Sequence, residues 1–441
     1  MESITERLRA SVSLKITVIG ILILVLLIPV AMIRGVVEDR VTVNRVAAAD
    51  IMRGWGDTQV VAGPILVVPG TVVREGINDR RTVGTRLNVL PETLVIDAAL
   101  ETELRARGIH EIPVYRSTIR ISGTFHLPAD IAAQHRVDNL DWDAGFIALA
   151  VSDARAIPIA PRIRVGDRDL GFEPGGQRLN GLPPQIVASL ENANGEALAG
   201  RDVPFEMELS LNGAESLQFL PLGGSTRVDV RSPWTSPSFS GNQLPQAHEI
   251  GEDGFTARWE VSQFARPLPS SWLDGDVQIA PSMQSAFGVD LFTGVGLYQQ
   301  TLRATKYAVL FIGLTFVAWF LFETMGRLSL HPLQYLLIGF ANALFYLLLL
   351  SFAEQIGFGP AYALSTVASA GLVVGYSRAV LGGIRPAGMM AALLGALYGF
   401  LYLVLKSEDF AMLAGAAGLW VILGTIMYLT RHVDWYRPRG A

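Results

Sequence analysis

The run ITVIGILILVLLIPVAMI, Ile16 to Ile33, contains no charged residue. Arg7, Arg9 and Lys15 precede it and Arg34 closes it. A helix that crosses a bilayer needs about 20 predominantly apolar residues, so this run spans once its flanking cations reach the headgroups. A cleaved leader shares the basic start and apolar middle, but no convincing small-x-small cleavage site follows. The stretch is an anchor. Downstream, residues 34–306 contain no comparable run, and five apolar stretches then follow at 307–322, 332–353, 355–376, 386–405 and 410–430. Their brief connections suit a packed helical bundle.

The basic residues orient this arrangement. With the N-terminus inside, the cytoplasmic segments hold Arg7, Arg9, Lys15, Arg327, Arg378, Arg385, Arg431, Arg437 and Arg439. The short outside loops hold Lys406, beside Glu408 and Asp409, and Glu354. This asymmetry satisfies the positive-inside rule. It predicts a cytoplasmic segment 1–15, a span 16–33, a periplasmic or external domain 34–306, a bundle 307–430 and a cytoplasmic tail 431–441. The external domain holds 25 Lys and Arg against 33 Asp and Glu, which disfavours general attraction to anionic headgroups.

Only 17% of the 441 residues are charged and half are hydrophobic, against about 25% charged in a typical soluble domain. The formal charge of −5 argues against nucleic acid as a partner. No cysteine occurs, which removes disulfides, thiolate metal sites and a cysteine nucleophile.

Alternation, the mark of half-buried strands, recurs through 34–306. Tyr115, Ile119, Ile121, Phe125 and Leu127 share a face; so do Phe205, Met207, Leu209 and Leu211, and Phe255, Ala257, Trp259 and Val261. Turns are expected at Asn180-Gly181, Asn194-Gly195, Asn212-Gly213, Asp253-Gly254 and Asp274-Gly275. Helix is expected where the first span extends to Met52, near 129–135 and at 184–190. The fold class is therefore an α+β membrane protein. It has one N-terminal transmembrane helix, an all-β, sandwich-like periplasmic domain and a C-terminal bundle of five transmembrane helices.

Motifs for chemistry are missing. His248-Glu249 lacks the second histidine of a zincin, and no nucleophile elbow, Walker loop or dinucleotide fingerprint occurs. No catalytic, cofactor-binding or metal-binding residue is assigned, and no cofactor is expected. Asp141-Trp142-Asp143 and Asp153 to Arg155 read as turn and capping residues, and the glycine pairs 175–176 and 223–224 as turns rather than anion cradles. Gly371/Gly375 and Gly395/Gly399 have the GxxxG spacing that lets helices close on one another, here within the bundle. Asn342 lies mid-span, where an amide bonds to a neighbouring helix, and no span carries a central charge.

Several blocks together resemble the CreD family, inner-membrane proteins of Gram-negative bacteria also called cell envelope integrity proteins. They are RATKYAVLF from Arg303, LTFVAWFLFE ending at Glu323, and HPLQYLLIGFANALFYLLLLSFAEQIGFG from His331 to Gly359. Upstream they include GPILVVP (63–69), VSDARA (151–156) and PSFSG (237–241), and the last is Asp434-Trp435-Tyr436. The resemblance implies a role in envelope maintenance and stress tolerance, and carries over no catalytic residue.

Two functions remain open. One is a non-enzymatic envelope protein whose β domain binds a periplasmic protein or lipid, with the bilayer as its constant partner. The other is a transporter or flippase of an amphiphilic envelope component, supported by midspan Asn342, Thr366 and Ser369. Glu323 and Arg327, four apart, suit a helix-end pair. Glu323 and His331 are the candidate cytoplasmic contact point, Glu354 its exterior counterpart, and Asn342 the candidate within the bundle.

Overall fold

A computed structural model describes residues 12–75, 80–108, 110–176, 178–191, 198, 200–266, 268–291, 297–325, 330–406 and 411–431. Two compact units form, one from Met1–Asn44 with Val295–Ala441 and the other from Arg45–Gly294. Helix α1 (Val12–Trp55) runs 44 residues without a break.

The β unit opens with β1 (Gln59–Glu75), β2 (Arg80–Val89), β3 (Thr93–Arg107) and β4 (His110–Leu127). A single turn, α2 (Ile131–Gln134), leads to β5 (Asn139–Leu140), β6 (Phe146–Val151), β7 (Arg162–Val165), β8 (Arg168–Gly176) and β9 (Gln185–Ser189). Then come β10 (Arg201–Ala214), β11 (Ser216–Phe219), β12 (Ser225–Ser232) and β13 (Pro237–Gly241). Strands β14 (Ala247–Gly251), β15 (Gly254–Ser262), β16 (Ser271–Leu273) and β17 (Phe287–Leu291) complete it.

Pairing sorts the strands into two sheets. One runs β14-β15-β12-β3-β4-β10-β7-β8. The other surrounds the long β1, which pairs with β2, β5, β6 and β11; β16 continues from β2, β9 from β6, and β17 with β13 from β11. β8 pairs into both sheets. A single hydrophobic core draws on both, and the three alternating faces read from the sequence all lie in it. Burying such a face is what makes an alternating strand choose its register. The opposite face of the first sheet is a cross-strand charge ladder, Arg162, Glu208, Arg120, Asp97, Asp229 and Arg258. Within it Arg120 meets Glu208 at 3.1 Å and Arg258 meets Asp229 at 2.6 Å.

Two local expectations fail. Residues 185–189 form strand β9, not helix, because β9 pairs with β6 on one edge and β8 on the other. Gln185 to Ala188 are consecutively buried, and a short, fully buried apolar run has no period that separates strand from helix. Asn212-Gly213 lies inside β10 rather than at a turn; a Cβ at Gly213 would collide with the Tyr115 hydroxyl. That hydroxyl donates to the Ser216 carbonyl at 2.8 Å. The positive φ sits instead at Glu215 (59°). Gly181, Gly254 and Gly275 do take positive φ, while Asn194-Gly195 lies outside the described residues.

The helical unit adds α3 (Leu297–Lys306), α4 (Ala308–Met325), α5 (Pro332–Ile356), α6 (Phe358–Val380), α7 (Ile384–Lys406) and α8 (Ala411–Thr430). Among the described residues four helices, α1, α5, α6 and α7, are each long and apolar enough to cross a membrane. The α3–α4 pair, bent by 45°, makes a fifth if it counts as one span; α8 supplies a shorter apolar helix. Among the described residues Gly371, Gly375, Gly395 and Gly399 meet no packing partner within the bundle, since a Cβ on any of them would find nothing within 4 Å. Gly339 and Gly418 make the close approaches instead, receiving Leu26 and Phe400 respectively.

Candidate functional site

Helix α1 touches the rest of the helical unit along a narrow line. Leu26, Val30 and Val37 are its buried residues there, and Leu26 fits where Gly339 of α5 has no side chain. At each end of this line a base on α1 reaches a carboxylate.

At the first end Lys15 donates to the Glu323 carboxylate on α4. Glu323 is 1% exposed and Lys15 20%. The carboxylate also accepts from the Leu330 amide at 3.2 Å and from the Tyr335 hydroxyl at 2.8 Å. A buried anion needs this many donors to offset its lost hydration. Trp319 packs edge-on to Tyr335 at 5.9 Å and stacks on Tyr376 at 6.1 Å, which fixes the phenol. His331 is not part of this contact. Exposed, it caps α5: its Nδ1 accepts from the Leu333 amide at 3.2 Å, and the Gln334 side chain accepts from the His331 amide at 2.9 Å. Such reciprocal capping satisfies the free amides of the first turn. Arg327, the expected partner of Glu323, lies outside the described residues.

At the second end Glu354 sits in the last turn of α5 rather than in a loop. It accepts from the Tyr298 hydroxyl at 3.2 Å and faces the Arg40 Nε at 3.5 Å. Val37, Tyr298 and Leu350 cluster alongside. Lys15 and Arg40, 25 residues apart in α1, are separated by about 38 Å of helix. A hydrocarbon core of about 30 Å fits between them.

Between the clasps lies a polar centre walled by aromatic rings. Asn342 Oδ1 accepts from the Tyr398 hydroxyl at 3.5 Å, across to α7 as expected for a midspan amide. Among the described residues its Nδ2 meets no hydrogen-bond partner, nor do the Tyr346 hydroxyl and the Ser365 and Ser369 hydroxyls on α6. All four residues are at most 1% exposed. Tyr362 donates to the Tyr398 carbonyl at 2.7 Å. The Phe345 ring lies 4.7 Å from Tyr398, 5.0 Å from Tyr346 and 5.4 Å from Tyr362. These groups exchange hydrogen bonds; none is a carboxylate or imidazole.

In the β unit Asp141 takes the Ala144 amide at 3.1 Å, an Asx-type turn. Asp153 caps a short turn and binds the Arg155 guanidinium at 2.8 and 3.0 Å, which holds its carboxyl below the usual range. The Gly223 amide goes to Thr226 Oγ1 and that of Gly224 to the Pro91 carbonyl, while Gly175 and Gly176 lie in β8. Among the described residues no group of three His, Asp or Glu side chains is placed to hold a metal ion.

Several membrane-length helices and a separately cored β unit define a multi-pass membrane protein with a large non-membrane domain. The family model "Inner membrane protein CreD" matches residues 11–436. Inner membrane protein CreD of Escherichia coli (strain K12) is 33% identical over 419 residues, covering 94% of this chain and 91% of the relative. The chain belongs to the CreD family of inner membrane proteins.

Proposed function

We propose that this chain supports envelope integrity and stress tolerance without catalysing a reaction. Its β domain lies in the periplasm and binds a protein or lipid there; both termini are cytoplasmic, as the distribution of basic residues argues. The observation that carries this reading is the division of α1 between two cores. Leu26 and Val30 belong to the core of the helical unit. Ala48, with Ile51, Met52 and Trp55 beside it, packs against Ile112, Val114 and Ala214 in the β unit. Each unit thus builds its own part of α1 into its own core.

Phe264, 91% exposed, and Leu244, 72% exposed, are apolar positions for a photo-crosslinking residue. Crosslinking in intact cells, followed by mild extraction and mass spectrometry, is expected to return a defined protein or lipid adduct on the β domain. Adducts confined to random neighbours at both positions would count against a binding role.

The unpartnered amide and hydroxyls of the polar centre favour a second reading, transport or flipping of an amphiphile. A buried polar group without a partner costs about 1–3 kcal/mol, and a state that admits water or a headgroup would recover it. Because the chain has no cysteine, Ser369→Cys can be probed alone with a small membrane-impermeant thiol reagent. Labelling in intact cells supports transport; protection from both sides removes it.

A further inference from the structure

Helices α4, α7 and α8 leave between them a groove of about 350 Å³, within the size range of small-molecule sites. Val309, Leu310, Phe311, Leu401, Val404 and Leu419 form its walls. Gly415 lines it without a side chain, and open space lies where its Cβ would stand. The polar end is equally defined. Lys306 and Tyr307 close the groove at the α3–α4 bend. Lys306 is exposed, and among the described residues no carboxylate pairs with it. Lys406, at the end of α7, lies 5.4 Å from the centre of the Tyr402 ring. Tyrosines and lysines at helix ends mark headgroup depth, so the apolar groove runs inward from the interface and carries a cation at its mouth.

We propose that this groove binds one phospholipid with a net negative headgroup: an acyl chain lies against Gly415 and the phosphate meets the Lys306 ammonium. Apolar surface alone cannot select a ligand inside a bilayer, because lipid tails are as apolar as the groove. Selection comes from the cation, which a phosphate complements as a point charge. The inference stands apart from the proposed binding by the β domain, since every residue it uses belongs to the helical unit.

The test uses the full chain in nanodiscs containing equal phosphatidylglycerol and phosphatidylethanolamine, released for native mass spectrometry. The wild type is expected to retain one phosphatidylglycerol with about five-fold preference, the scale set by one basic residue near a surface. Lys306→Gln, an exposed change, is expected to abolish the preference. Gly415→Leu is expected to remove the retained lipid, at unchanged thermal stability. If Gly415→Leu does not fold, Lys306→Glu decides by reversing the preference towards phosphatidylethanolamine. Unchanged preference in the Lys306 variants, equal retention of both lipids by the wild type, or a second copy of the chain in place of lipid would each overturn the proposal.

Discussion

Removing Lys15 alone should damage the protein more than removing Lys15 and Glu323 together. Lys15→Met keeps most of the side-chain stem but deletes the charge that meets the 1% exposed Glu323 carboxylate, which also accepts from Leu330 and Tyr335. Breaking a buried pair from one side costs about 3–5 kcal/mol, whereas replacing both partners is often neutral. Glu323→Gln alone should cost less, about 1–3 kcal/mol, because Lys15 is 20% exposed and its ammonium can reach headgroups. The double variant, Lys15→Met with Glu323→Gln, should return close to the wild type. The cycle then yields a coupling of about 4–8 kcal/mol from these single costs, above the usual range of about 0.5–3 kcal/mol for residues in contact. Thermal unfolding of the full chain in a mild detergent provides the assay. Lys15→Met should lower the midpoint of the helical transition by roughly 6–20 °C. Equal losses in the single and double variants, or a Lys15→Met effect under about 1 kcal/mol, would refute the assignment of a buried clasp.

In the β unit, Trp259→Ala removes a 1% exposed side chain that packs on Phe239 and Phe287, both at 5.7 Å, and donates to the Gln243 carbonyl at 3.1 Å. A loss of about 3–5 kcal/mol is expected, read as earlier melting of the β transition; an unchanged midpoint would contradict the core assignment. Burial, then the nearby Asp57 and Asp290 carboxylates, push the Glu215 carboxyl above its usual range. Its folded value exceeds its unfolded one, so its contribution is present below about pH 4 and is lost as pH rises through the folded value. Glu215→Gln should therefore gain stability relative to the wild type between about pH 4 and neutrality, and a flat difference across that window would disprove it. Reporter fusions at Gly241 and Ala441 should register opposite compartments, periplasmic and cytoplasmic; a cytoplasmic signal at Gly241 would sink the proposed topology. Glu354→Ala, which removes the acceptor of the Tyr298 hydroxyl and the carboxylate facing Arg40, should impair envelope-stress tolerance more than Glu408→Ala at matched membrane abundance. Equal tolerance would leave Glu354 a structural residue.

Much of the architecture was legible because it depends on local pattern. Ile16 to Ile33 can satisfy its backbone in a bilayer only as a helix, and the faces of β4, β10 and β15 declare themselves by alternation. What escaped notice depends on tertiary space. Asn212-Gly213 has turn composition, yet its glycine serves the ring of Tyr115, remote in sequence. The clasp at Glu323 joins residues 308 positions apart, and spacing rules reach only a helical turn or two. Glu323 and Glu354 could be picked out as charges at helix ends; Lys15 and Arg40, their partners, could not. GxxxG spacing says that two glycines share a helix face, not which way that face points.

The long separation between Lys15 and Glu323 also sets an order of events during synthesis. At about 5–20 residues per second, the carboxylate leaves the ribosome roughly 15–60 s after its lysine. Throughout that delay α1 sits in the bilayer as a lone helix, with Leu26, Lys15 and Arg40 all waiting for surfaces not yet made. The β domain emerges in full within the same interval and can fold before α4 and α5 exist. The Lys15–Glu323 and Arg40–Glu354 contacts can therefore close only late, and a chain interrupted before residue 323 would contain all of the β unit and neither clasp.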